Sequence, residues 1–411
     1  MLERTIFDLE FWKLASIPFV AAFIGWITNW IAIQMTFYPL EYRGRRPAGL
    51  FGWQGIIPSK AGKMARIFVD RTMFRLGTLE EVFHLMDPDR IAEHVTSVMD
   101  HRLQAYTDEV MFYENPRLWQ MLPQAVKTMI YARVRQQMPR LVRNLLHEAG
   151  GRIEDLIDFK DMLVRRLEGD RNLLNRLFQE AGRAEFVFII RSGAYFGFLF
   201  GLVQLAVWIF YQGWWVLPVF GLVVGWATNW FALEIIFRPL HPVRVGPWIV
   251  QGLFLKRQRE VAAVWCRIVT TEILTVQHMI YAMLYGPKAE ATKALIRKHI
   301  APVVDDALRA YGPIPGFAVG PEGLGAIRES VGHKAIAVST DPFDHWPFNR
   351  ERAEVIERVL LERMQNMPPE QFQDLLRPCF QEDELKLILA GAVLGLLAGL
   401  AQLVFVFGGF G

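Results

Sequence analysis

Four stretches of this 411-residue chain are apolar over about 20 residues, the length a helix needs to cross a hydrocarbon core. They run from about 17 to 37, 186 to 211, 214 to 237 and 387 to 410. Inside a bilayer every backbone N–H and C=O must be satisfied within the segment, which restricts such stretches to helices. Hydrophobic residues make up 52% of the chain and charged residues 21%, so sizeable aqueous regions accompany the spans. Arg191, near the start of the second stretch, either reaches toward the headgroups or marks a later entry point into the membrane. The opening MLERTIFDLEFWKL lacks the pattern of a cleaved signal, and the first stretch is expected to stay as an anchor.

The first and third stretches share a motif. GWITNWIAIQMTFYPL begins at Gly25 and GWATNWFALEIIFRPL begins at Gly225. Gly25, Thr28, Asn29 and Trp30 thus recur as Gly225, Thr228, Asn229 and Trp230, while Gln34 is matched by Glu234. The second and fourth stretches also correspond, as GAYFGFLFGLVQL from Gly193 and GAVLGLLAGLAQL from Gly391. Matches at nearly one offset predict two internal repeats, 1–212 and 213–411. Each would hold one span, a mainly helical aqueous region (38–185 or 238–386) and a second span. An even number of spans per repeat makes the repeats parallel. The fold class is an all-α integral membrane protein with four transmembrane helices.

Gly193, Gly197 and Gly201 are spaced by four, and Gln204 continues their face; Gly391, Gly395, Gly399 and Gln402 repeat the pattern. Small residues at this spacing let membrane helices approach closely. These faces are expected to meet those bearing Asn29 and Asn229, with the asparagines bonding the glutamines or exposed backbone. A competing reading makes Asn29, Asn229, Gln34 and Glu234 the lining of a polar pathway, since an intramembrane carboxylate is a functional candidate.

Basic residues cluster after the first and third spans: Arg43, Arg45, Arg46, Lys60 and Lys63, then Arg238, Arg244, Lys256, Arg257 and Arg259. The positive-inside rule places both large loops in the cytoplasm and both termini outside. Cations interleaved with aromatics at these exits are candidates for lipid-headgroup contact, against plain anchoring. Beyond them the spacing is helical, with Met64, Ile67, Phe68 and Met73 in one half and Val261, Val264, Trp265, Ile268 and Val269 in the other. Asp87-Pro88 and Met367-Pro368 read as helix starts, YGPIPGFAVGPEGLG from Tyr311 as a loop, and Val243 to Val250 as a short strand piece. Two helical subdomains packed on each other are expected.

No nucleophile elbow, zinc-binding helix or phosphate loop is present. His94 and His101 lack a third ligand nearby. In TDPFDHWPF, Asp341, Asp344 and His345 invite an acid–base or metal reading, but Asp before Pro favours a turn or helix cap. Cys266 and Cys379 have neither metal nor redox spacing and read as buried thiols. A net charge of +3 gives no argument for nucleic acid. No catalytic, cofactor or metal residue is nominated.

The segments GWATNWFALEIIFRPL, GLFLKRQREVA and LLRPCFQEDELKLILAGAVLGLLAGLAQL resemble the bacterial membrane-protein family called domain of unknown function 445. The first half keeps the proline of that family's exit segment as Pro58, whereas the second has Leu255. The resemblance implies a helical inner-membrane protein and supplies no activity. The sequence therefore predicts a non-enzymatic inner-membrane protein, a scaffold or lipid-associated factor. Its partners would be membrane lipids and a second copy or another membrane protein, with no nucleic acid. The alternatives are a transporter or channel subunit, and lipid movement along a groove between the helical subdomains.

Overall fold

A computed structural model describes residues 9–44, 52–70, 76–309, 321–344, 346–374, 377 and 384–408. Arg45, Arg46, Met73, the Tyr311 loop up to residue 320, His345 and Cys379 lie outside the described residues. The chain is mostly helical, and four helices are long and apolar enough to cross a membrane: Phe11–Phe37, Arg183–Phe210, Val216–Phe237 and Glu384–Phe407. Their apolar residues run all round rather than along one stripe, the composition of a helix with no water-facing side. Among the described residues the strands are Val243–Val245 and Trp248–Val250, an antiparallel hairpin pairing Val243 with Val250.

Two compact units form, and they cut across the two sequence halves. The first comprises Met1–Thr72, Leu167–Trp265 and Leu361–Gly411; the second comprises Met73–Arg166 and Cys266–Leu360. The aqueous regions therefore do not stand as separate subdomains. The middle portion of each joins the other in one body, while their outer portions belong with the spans.

In the first unit, the first span packs along the second and the third along the fourth. One apolar cluster ties all four together: Ile17, Trp208, Val216, Leu217 and Leu403. Toward the other end, Ala32 and Leu387 close on Ile56. The first and third spans end in matching turns, where Tyr38-Pro39 and Arg238-Pro239 are cis peptides. Gly55 N donates to Pro39 O (2.9 Å) and Gly252 N to Pro239 O (3.0 Å). Gln54 and Gln251 donate their side-chain amides to Leu40 O and Leu240 O. Glycine is required at both returns, because a Cβ at Gly55 would lie 2.7 Å from Phe37 C, and one at Gly252 would lie 2.8 Å from Ile236 O.

The second unit is a ring of helices. Gln124–Gly150 packs on Pro88–Asp100 and on Ala289–Arg309, which packs on Pro321–Val338; that helix reaches Leu103–Glu114, which returns to Pro88–Asp100. Asp87 caps Pro88–Asp100, its carboxylate accepting from Arg90 N. At the other predicted start the helix begins one residue later, at Pro369, with Pro368 as the cap position. The DPFD segment is a turn of 3₁₀ helix: Asp341 accepts from Arg102 (2.9 Å) and Tyr106 (3.2 Å), and Asp344 accepts from Gln277 (3.0 Å). The ring lines a partly open apolar cavity of about 260 Å³.

Candidate functional site

The glycine faces of the spans meet backbone to backbone. A Cβ on Gly25 would overlap the carbonyl of Gly193, and one on Gly193 would overlap that of Gly25. Gly197 lies against Ala21 and Ala22, and Gly201 against Pro18. In the other pair, Gly225 faces Gly391, Gly395 faces Gly221, and Gly399 faces Leu217 and Pro218. No methyl group fits between the helices at these positions. Such closeness maximises dispersion between surfaces that gain nothing from leaving water.

Each asparagine spans its pair. Asn29 is fully buried and its Nδ2 donates to Ile189 O at 2.7 Å; Asn229 is 4% exposed and donates to Leu387 O at 2.8 Å. The Ile189 carbonyl also accepts from Ser192 Oγ at 3.0 Å. Thr28 and Thr228 turn their hydroxyls back onto their own helices, at Gly25 O and Val224 O. The acceptors are thus backbone carbonyls and not the glutamines. Gln204 and Gln402 lie fifteen residues beyond Ile189 and Leu387, which is about 22 Å along a helix. Both glutamines are buried, and neither polar atom of the Gln402 amide has a hydrogen-bond partner. Asn29 Oδ1 is likewise buried without one.

Trp30 and Trp230 turn outward, at 42% and 39% exposure, and Trp230 stacks on Trp226. Gln34 and Glu234 are half-buried near the ends of their spans, and Glu234 pairs with Arg238 at 2.9 Å. Among the exit cations, Arg43, Arg238, Arg244, Lys256 and Arg259 are exposed. Lys63 is exposed and Lys60 half-buried, and both have partners. Arg257 is engaged inside the protein, its guanidinium holding both oxygens of Glu185 (2.9 and 3.1 Å) and also Glu260.

Sequence reasoning missed four residues here. Glu185 is 3% exposed at the start of the second span, and its partner lies 72 residues away. Asn175 donates to Phe37 O at 2.6 Å, satisfying a carbonyl at the end of the first span. Gln258 donates to Met364 O (3.0 Å) and Met367 O (2.8 Å). Gly221 completes the third span's contact face; its spacing of four from Gly225 was the available signal. The other three pairings join distant segments and leave no local trace.

Comparison with known proteins places the chain near bacterial membrane proteins. It is 28% identical over 171 residues to a UPF0754 membrane protein of Synechococcus sp. (strain JA-2-3B'a(2-13)), and equally to one of strain JA-3-3Ab. In each case the match covers 40% of this chain and 40% of the relative. No family model matches the chain, so the likeness to domain of unknown function 445 rests on its motifs. No solved structure matches it.

Proposed function

We propose that this chain is a non-enzymatic protein of the bacterial inner membrane whose four spans form a rigid, dry anchor for a cytoplasmic helical body. In this reading the chain arose by duplication, with the two span pairs as parallel copies of one device. The body acts as a scaffold or lipid-associated module, working with membrane lipids and a second copy or another membrane protein. The observation that carries it is the backbone contact at Gly25–Gly193 and Gly225–Gly391, with each asparagine amide donating to the partner helix. A site spent on helix contact has no room for a solute. The exposed cations at the two exits suit anionic headgroups.

Transport is the second reading, favoured by the unpartnered buried atoms of Gln402 and Asn29. Vesicles reconstituted with the full chain separate the two. The anchor reading expects no solute or proton flux above that of empty vesicles, and lowered thermal stability in Asn29→Leu and Asn229→Leu. Flux abolished by those substitutions, with stability unchanged, would favour the pathway. For orientation, an impermeant thiol reagent is applied to intact cells carrying Asp161→Cys in a background lacking Cys266 and Cys379. Labelling from outside contradicts the proposed topology.

A further inference from the structure

We propose that the second unit binds a single long hydrocarbon chain, the acyl chain of a fatty acid or of a lysophospholipid, in the cavity of its helical ring. This goes beyond the anchor reading and does not rest on it. Protein interiors are packed as densely as organic crystals, with few voids larger than a water molecule. Here about 260 Å³ stays open within one unit, lined almost entirely by aliphatic and methionine side chains. Apolar walls of this extent favour an apolar guest over water.

The shape selects the guest. Along Gln124–Gly150 the lining recurs turn by turn from Ile130 through Met138 to Ala149, a rise of about 28 Å. Lining spread along one helix over that length marks an elongated space, which suits a flexible chain better than a compact fused ring system. Met99, Met111, Met138 and Met283 supply adaptable walls that accommodate chains of differing length and unsaturation. Thr292 lines the same space, 4% exposed and with its hydroxyl unpartnered. It is a polar group left for a guest to cover or bond.

One polar edge indicates the head. Lys334 lines the cavity, with its side chain 24% exposed and its ammonium 4.9 Å from the Tyr106 ring. Arg102 donates to the Tyr106 hydroxyl at 3.4 Å. Two cations around one tyrosine suit an anionic head. Glu109 and Asp341 already pair with them at 2.6 and 2.9 Å, so the chain contributes more to affinity than the head.

The test uses the full chain in nanodiscs of zwitterionic phospholipid, titrated with the fluorescent polyene fatty acid cis-parinaric acid. Saturable binding at one site per chain is expected. Val142→Phe combined with Val304→Phe fills the cavity and should weaken binding by at least about tenfold. Lys334→Met should weaken it about threefold for the acid and leave the corresponding alcohol unchanged. Displacement by oleate assigns a free fatty acid, and displacement by lysophosphatidylglycerol alone assigns a phospholipid chain. Equal binding by wild type and the filled variant overturns the proposal. Should that variant fail to fold, a diazirine-bearing palmitate is photolysed on the wild-type protein. Adducts at cavity residues such as Met283 or Ile300 support the site, and adducts confined to the four spans overturn it.

Discussion

Replacing Gly197 by alanine sets two effects of opposite sign against each other. Alanine is the better helix former, by about 0.5–1 kcal/mol, so an isolated second span would gain stability. In the packed unit, a Cβ at Gly197 would lie 2.5 Å from Ala21 O and 3.0 Å from Ala22 Cα, where ordinary contact begins at 3.4 Å. Relief requires the first and second spans to part by about 0.9 Å, enough to forfeit a quarter to a half of each neighbouring dispersion contact. A rigid shift of that size lengthens the Asn29–Ile189 bond from 2.7 Å to about 3.6 Å, beyond hydrogen-bonding range. Overpacking and the lost bond outweigh the helix gain, leaving a net loss of about 1–4 kcal/mol. In detergent, the melting temperature should fall by about 2–4 °C for each kcal/mol lost. Leu202→Ala, on a side chain 43% exposed, serves as the control and should change little. A Gly197→Ala protein that melts at or above the wild-type temperature would falsify the backbone-contact account.

Glu185→Gln should cost about 1–3 kcal/mol in the same assay, because Arg257 loses its bidentate partner. The double variant Glu185→Met, Arg257→Met should recover much of that, since no buried charge is then left unpaired. His278 is held below its ordinary value of 6.5 by burial first and by Arg166 second, against a raising hydrogen bond to Ile273 O. The unfolded state therefore binds the proton more readily, so this contribution is present above pH 6.5 and declines as pH falls from there toward the depressed native value. Melting temperatures between pH 5 and 7.5 should show that decline in wild type and less of it in His278→Gln. Burial and Glu357 push the Cys266 thiol up to about 12. In a Cys379→Ser background it should resist iodoacetamide at pH 8 until denaturant is added, and prompt native-state alkylation would contradict its burial.

Part of the fold is legible in the sequence. Helix length and apolarity are local properties, so the four spans can be read directly; their ends lie within three residues of the expected ones, except that the first begins at Phe11 and not near 17. The i, i+4 spacing of Gly193, Gly197 and Gly201 likewise marked a face, because side-chain direction repeats with the helical turn. Gln204 and Gln402 extend those faces by the same periodicity. Sequence could not show that Gln204 and Gln402 sit some four turns from the asparagines in the folded pairs.

Local residue order sets where the chain must be helical and apolar, where prolines end the spans, and which faces are narrow enough for close approach. What each face meets depends on the folded arrangement. Asn29 reaches a carbonyl 160 residues away, Arg257 reaches back to Glu185, and the helical ring takes its staves from both halves of the chain. Periodicity is set by the few residues of one turn, whereas these contacts join segments whose meeting depends on every element between them. The cavity belongs to the second kind. Its lining residues read one by one as ordinary core, and only their assembly shows that the core is not filled.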